Sequence, residues 1–182
     1  MPIYTTSLRP GTGIPSGKHG GIIQVESAKK TDTFIATLST FTDVPGLAVT
    51  ITPHSSSSKI LVSVVMTTGI NNNGETMQLT LKRSIAGGSY STVDDATGAA
   101  DGSRRRITVG YRNSSSYGMQ NAKIEFLDSP SYSLGQAIGY KVAHSHRYGG
   151  YIEHFMNRSY NDENNDSEGR AISVMTLMEI AG

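Results

Sequence analysis

Three histidines in the last third of the chain have the spacing of a candidate metal site. His144 and His146 lie two residues apart on one predicted strand, and His154 lies on the next. Neutral imidazoles are ligands for zinc or nickel. No carboxylate is fixed beside them by spacing, so we favour structural or solvent-facing histidines. If the chain assembles around a threefold axis, His144 or His146 could instead form a ring that makes assembly sensitive to pH.

A second candidate cation site consists of oxygen-bearing side chains at alternate positions: Asp162, Asn164, Asp166 and Glu168. This alternation is typical of the start of a calcium-binding loop. The rest of the loop is missing, because Ser167 replaces the glycine of the sharp turn and Ser173 replaces the bidentate glutamate. We favour a solvated connection between strands, and we expect neither a bound metal nor a cofactor.

The only basic cluster in the sequence consists of Arg104, Arg105 and Arg106. It follows three acidic residues, Asp94, Asp95 and Asp101. Ion pairing within the chain or between subunits is the favoured role, and contact with phosphate or an anionic glycan is the alternative. Arg105 and Arg106 would point to opposite faces of a strand, so they would not act as one patch.

The sequence contains none of the local patterns of common catalytic sites. The serine elbow G-x-S-x-G, the P-loop and the zinc motif H-E-x-x-H are all absent. A pair of carboxylates for glycan cleavage could be assembled from Glu125, Asp128, Glu153 or Glu179, but the sequence does not place any two of them at the separation of about 5–9 Å that this chemistry needs. We therefore predict that the protein is not an enzyme.

Nine tyrosines and no tryptophan make tyrosine the main candidate for an aromatic contact surface. Tyrosine on loops stacks on sugars and contacts partner proteins. Tyr132, Tyr148 and Tyr160 lie beside predicted turns, and we interpret them as a possible surface-binding rim.

The composition bounds the class of protein. The 182 residues carry a formal net charge of +1, so no global field attracts nucleic acid or an anionic membrane. The absence of cysteine excludes disulfides and thiolate sites. No stretch of about 20 apolar residues and no signal-peptide pattern is present. We therefore expect that the protein is made in the cytoplasm and does not insert into a membrane.

Short strands separated by turn residues predict an all-β fold. We expect strands over residues 22–27, 32–38, 47–52, 59–69, 76–84, 105–112, 120–127, 138–144, 151–157 and 171–180. Turn signals separate them, among them Pro45-Gly46 and Gly149-Gly150. The spacing predicts an antiparallel β-sandwich of jelly-roll type over residues 21–182.

Two predicted strands, 59–69 and 171–180, are apolar at positions of both parities. Both faces of each should therefore be covered, by the second sheet of a sandwich or by another subunit. The candidate core and possible subunit contact consists of Ile60, Val62, Val64, Met175 and Leu177. By contrast, Leu47, Val49 and Ile51 alternate with smaller residues, as in a half-buried strand.

Residues 1–20 differ from the rest of the chain. They hold three of the six prolines and few apolar side chains, so they could not form a core of their own. We interpret them as an extended arm that becomes ordered on another surface, or else as a frayed terminus.

Several blocks of sequence carry a resemblance to a known group of proteins. They are K-T-D-T-F at 30–34, F-T-D-V-P-G-L-A-V-T-I-T-P at 41–53, S-S-K-I-L-V at 57–62, G-S-R at 102–104, F-L-D-S-P at 126–130, N-R-S-Y-N-D at 157–162 and T-L-M-E-I at 176–180. In number and order these blocks resemble a module of virion structural proteins of tailed bacteriophages, especially phages of aquatic bacteria. The resemblance covers roughly residues 22–182 and agrees with the one-domain estimate from length.

The resemblance implies a compact, trimeric, exposed part of a virion that is made in the host cytoplasm. We expect a tail fibre or tail-tip protein that contacts the host surface, with a host glycan as a possible partner. The arm would dock on another virion protein through Ile3, Tyr4, Leu8, Arg9 and Ile14. The chain departs from longer fibre proteins in having no extended shaft, so a capsid decoration protein (cement or head fibre) is the first alternative. A glycan-binding receptor reader and a glycan hydrolase are the others.

Overall fold

The computed structural model of the protein describes residues 21–37, 39–71, 75–112, 118–146, 152–166 and 168–182. Across these residues the regular structure is β, with one short 3-10 turn at Asp94–Ala96. The strands are β1 (Ile22–Lys30), β2 (Phe34–Ala36), β3 (Thr42–Ile51), β4 (Lys59–Ile70), β5 (Thr76–Ile85), β6 (Ser91–Thr92), β7 (Val109–Arg112), β8 (Gln120–Asp128), β9 (Ile138–His146), β10 (His154–Met156) and β11 (Ser173–Ile180). The all-β prediction is confirmed.

The first sheet, sheet A, is built around β4. Strand β11 pairs along the first part of β4 and β10 along its end, while β8 pairs along the opposite edge. Outside them, β1 pairs with β11 and β2 pairs with β10. All these pairings are antiparallel.

The second sheet, sheet B, is built around β9 and β5. Strand β3 pairs with the outer edge of β9, and β5 pairs with its other edge. The short strands β6 and β7 complete the far edge of β5. Sheets A and B pack face to face, so the antiparallel sandwich of jelly-roll type is confirmed.

The core lies between the two sheets. From sheet B it takes Leu47, Val49, Ile51, Leu79 and Leu81, and from sheet A it takes Ile60, Val62, Val64, Ile124, Met175 and Leu177. The predicted inward face of β3 is confirmed, because its large apolar residues are all buried. Burying such side chains is the main favourable term in forming the sandwich.

Three strands differ from the prediction in a way that chain geometry explains. Pro45-Gly46 does not end a strand; it lies within β3, where the pairing with β9 shifts register between Asp43 and Ala48. Gly46 has a φ of 75°, which glycine adopts readily, so the pair forms a bulge instead of a turn. The predicted strands over 105–112 and 151–157 shorten to β7 and β10, each limited by the length of its pairing.

Candidate functional site

The three histidines meet in the interior of the sandwich. His144 and His146 come from β9 of sheet B, and His154 comes from β10 of sheet A. All three are fully buried. The Nδ1 atoms of His144 and His154 lie 3.3 Å apart, and the rings of His146 and His154 meet edge to face with centroids 5.2 Å apart. We call these residues the histidine cluster.

Few polar partners surround the histidine cluster. His146 Nε2 lies 3.2 Å from the carbonyl oxygen of Thr37, so this nitrogen carries the proton and donates it. Three buried ring nitrogens have no partner among the described residues: His144 Nε2, His146 Nδ1 and His154 Nε2. The ring of Phe34 meets His144 edge-on, with centroids 6.1 Å apart. The surroundings therefore favour neutral imidazoles.

Burial lowers the pKa of His144 to about 4 and that of His154 to about 3, since removal from water disfavours the charged ring. The neighbouring histidines add a smaller effect in the same direction. His144 and His154 are thus neutral at pH 7. The histidine cluster lies inside a single chain, so the predicted ring of histidines around a threefold axis is wrong.

The described residues contain no group of three His, Asp or Glu side chains arranged to share a metal ion. Within the histidine cluster, His144 and His154 are the two side chains that present nitrogens to each other. A zinc site needs further ligands. The favoured prediction of structural histidines agrees with this arrangement, whereas the solvent-facing alternative does not.

The carboxylate of Asp162 in the β10–β11 connection is held by arginines. It pairs with Arg170 and lies 3.4 Å from Arg158, and these contacts keep its pKa below the usual range. Glu168 accepts a hydrogen bond of 2.6 Å from the hydroxyl of Ser159. Two of the four residues predicted to begin a calcium loop, Asp162 and Glu168, therefore form contacts that stabilise the β10–β11 connection. The other two, Asn164 and Asp166, lie exposed.

The three arginines act separately. Arg104 pairs with Asp101 at 2.6 Å, and Arg106 contacts the Asp94 carboxylate at 3.4 Å and its carbonyl oxygen at 3.0 Å. These two pairings confirm the predicted local ion pairs. Arg105 donates to the Ser145 hydroxyl at 2.8 Å and the His146 carbonyl at 3.0 Å, so it covers the end of β9 beside the histidine cluster.

The tyrosines predicted to form a rim are not neighbours. Tyr132 donates to the carbonyl oxygens of Ser55 and Ser58 at 2.6 and 2.9 Å, just before β4 begins. Tyr160 is exposed and contacts the ring of Phe155, which pairs with the other end of β4. The length of β4 separates them by roughly 30 Å. Tyr148 lies outside the described residues.

Two of the four candidate catalytic carboxylates lie near each other, because Asp128 on β8 and Glu179 on β11 are both opposite Ile60 of β4, one at each edge of that strand. Asp128 is buried and accepts hydrogen bonds from Arg83 and Tyr140, and Glu179 is buried at the start of β4. Glu179 accepts bonds from Gln24, His54 and Ser58, which outweigh its burial and lower its pKa. Each carboxylate serves a structural network.

The predicted subunit-contact residues Ile60, Val62, Val64, Met175 and Leu177 are buried within one chain. They face sheet B, so a contact between chains through this sheet has to use its opposite face. That face carries the apolar residues of the other parity on β4 and β11, together with residues of β1 and β8. We call it the outer face of sheet A.

The register of sheet A places the outer-face residues in rows. One row crosses four strands and consists of Val25, Met178, Leu61 and Leu127. Another contains Val174 and Val65, between Lys29 and Lys123. Val25 is 51% exposed, Val65 41% and Leu127 46%. The sequence predicts correctly that β4 and β11 are apolar on both faces. The residues it indicates for a subunit contact, however, are those that point into the core, and the outward residues are the ones left for such a contact.

Comparisons with known proteins do not assign the chain to a family. No family model matches the sequence, and no curated protein is significantly similar to it. A solved structure of infectious bursal disease virus, Gx strain, is similar at 12% identity and a TM-score of 0.41, over 99% of this chain and 41% of that one. A structure of TmCBM61 in complex with β-1,4-galactotriose is similar at 12% identity and a TM-score of 0.22, over 90% and 92% of the two chains.

The chain thus spans less than half of the viral chain to which it is similar. Among the described residues, no helix is long and apolar enough to cross a membrane.

Proposed function

We propose that the protein is a structural component of a tailed-bacteriophage virion, a trimeric, exposed appendage of the tail fibre or tail tip. The observation that carries the proposal is the ordered series of sequence blocks that resemble the phage module. Within the described residues, the blocks at 41–53, 57–62, 126–130 and 176–180 fall on β3, β4, β8 and β11. They are parts of one sandwich rather than scattered similarities.

The chemistry of the described residues supports a mechanical role rather than a catalytic one. Among the described residues, Asp128 is buried and paired with Arg83, and burial keeps His144 and His154 neutral. The carboxylates that could have cleaved a glycan are engaged: Asp128 and Glu179, which flank Ile60, accept hydrogen bonds from Tyr140 and Ser58, and Glu125 pairs with Lys123. We therefore propose no enzymatic activity.

Immunogold labelling of intact particles tests this function. Antibodies against the purified protein are expected to label the tail fibre or tail tip of the encoding phage. A label distributed over the head would replace the tail assignment with a capsid decoration protein. Particles that carry no label, although the antibody recognises the purified chain, would contradict a virion role.

Deletion of residues 1–20 tests how the appendage is anchored. We propose that this segment docks on another virion protein, so the truncated chain should fold and fail to join the particle. Incorporation at the wild-type level would overturn the docking role. Thermal unfolding of the truncated protein provides the folding control.

A further inference from the structure

We infer that the outer face of sheet A is the surface through which copies of this chain pack against one another. The inference rests on the proposed function in taking the protein to act as a multi-copy structural component. It assigns the contact to the outward-facing side chains of β1, β11, β4 and β8. These side chains do not take part in the core between the two sheets.

The two central strands present an uncharged surface. Outward from β11 point Val174, Thr176, Met178 and Ile180, and outward from β4 point Leu61, Ser63 and Val65. Three neighbouring rows on these strands carry only apolar or hydroxyl side chains, whereas the row of Ile180 ends the surface at Lys59. In a sheet with one face in water, the outward side chains along each strand are normally charged or strongly polar. The composition of this face is therefore unusual for a surface in water.

Charged side chains lie around this centre. Lys59 lies at one end, Lys29 on β1, and Lys123 and Glu125 on β8. An uncharged centre with a charged rim is the anatomy of a protein–protein interface. Lys123 pairs with Glu125 at 2.6 Å, and the other two lysines lie at the edges of the face, where salt screens the repulsion between two copies.

The size of the face suits a contact between proteins. Four strands and four rows of outward residues cover roughly 500 Å² at the ordinary spacing of a sheet. Exposed apolar patches of about 300–600 Å² are often functional, and a specific interface buries about 800 Å² per partner. The roughly 500 Å² already includes the charged rim, so the face is smaller than that value and suits a weak, concentration-dependent contact.

The residue types favour a second copy over a glycan. The outer face carries no aromatic ring on which a sugar could stack, and its polar centre is limited to the hydroxyls of Thr176 and Ser63, with Ser27 beside them on β1. A flat apolar sheet instead packs well against another sheet of the same kind.

Sedimentation velocity of the full chain from about 1 to 100 μM tests the inference. The wild-type protein should associate within this range. The double variant Val65→Glu/Leu127→Glu should sediment as a monomer, with association weakened at least tenfold, because it introduces charges into the apolar rows. Single Leu127→Lys is a second variant with the same expectation and a smaller risk to folding. The thermal transition of each variant should stay within a few degrees of the wild type.

Leu134→Glu is the matched control, since Leu134 is 66% exposed but lies in the β8–β9 connection. It should associate like the wild type. A monomeric wild type, or equal loss of association in Leu134→Glu, would overturn the inference. So would a wild-type monomer that associates only after deletion of residues 1–20, because that segment would then cover the face.

Failure here is distinguishable from failure of the proposed function. Labelled particles with a monomeric purified chain would leave the virion role intact and remove the packing surface. Association without particle labelling would do the reverse.

Discussion

At the scale of single residues, the histidine cluster is the clearest source of pH sensitivity. Its rings connect β9 of one sheet to β10 of the other, and three of its nitrogens have no partner within the described residues. A proton placed on His144 or His154 would be a charge in the interior with no carboxylate beside it. The unfolded chain accepts the same proton near the ordinary pKa of 6.5.

Stability should therefore fall as the pH drops through 6.5, because the unfolded chain binds protons that the folded chain binds only near pH 4 and 3. Between pH 6.5 and 5 the two histidines should cost about 3 kcal/mol of the free energy of unfolding. His154→Leu should roughly halve that loss. Urea denaturation at several pH values measures it.

The matched control for this prediction is Phe155→Leu, a buried neighbour on β10 that does not titrate. It should lower stability at every pH and leave the slope between pH 6.5 and 5 unchanged. A wild-type protein whose urea midpoint is flat over this range would contradict neutral buried histidines.

Asp128 is expected to be the most sensitive carboxylate on β8. Its side chain is 4% exposed and accepts hydrogen bonds from Arg83 at 2.8 and 2.6 Å and from Tyr140 at 2.6 Å. Asp128→Ala should cost about 3 kcal/mol, because it leaves a guanidinium and a buried hydroxyl without their acceptor. Glu125→Ala, on the opposite face of the same strand, should cost less than about 1 kcal/mol. Equal losses in chemical denaturation would contradict the buried network.

At the scale of elements, the end of β4 depends on a close approach of two backbones. A Cβ on Gly69 would lie 2.6 Å from the carbonyl oxygen of Arg158 and 3.0 Å from Cα of Ser159. Neither atom belongs to a flexible side chain, so the β10–β11 connection would have to move. This contact fixes where β10 ends.

Gly69→Ala should destabilise the protein by about 2 kcal/mol through this overlap. The corresponding fall in Tm is about 4–8 °C for a chain of this length. Gly98→Ala is the control, since nothing lies within 4 Å of a Cβ there. Its Tm should stay within about 2 °C of the wild type. Calorimetry that ranks the two variants in the opposite order would refute the assigned contact.

The same elements indicate how far the sequence predicts the fold. Alternation in β3 identifies its inward residues correctly, because the residues of one parity are large and those of the other small. In β4 both parities are apolar, so the pattern does not decide between Ile60 and Leu61 for the interior. That choice depends on pairing with β11 and β8, which are distant in sequence.

The candidate site is less predictable for a related reason. The spacing of His144 and His146 places them on one face, but their burial depends on Phe34 of β2 and on His154 of β10. The separation of Tyr132 from Tyr160 likewise follows from the length of β4, which spacing along the chain does not reveal. Long-range packing therefore determines which chemistry each residue can perform.

At the scale of the whole molecule, one feature connects fold and proposed function. Among the described residues, a single chain buries the inward apolar residues of β4 and β11 and leaves Val25, Val65 and Leu127 of the outer face exposed. Hydrophobic surface of this kind favours association. We propose that association of copies covers it, as a multi-copy component of a particle would require.

Native mass spectrometry of the full chain tests this claim most directly, because it counts subunits without reference to any particular surface. We predict a complex of three 19.5 kDa chains at micromolar concentration. A spectrum that contains only the single 19.5 kDa chain under the same conditions would contradict the account.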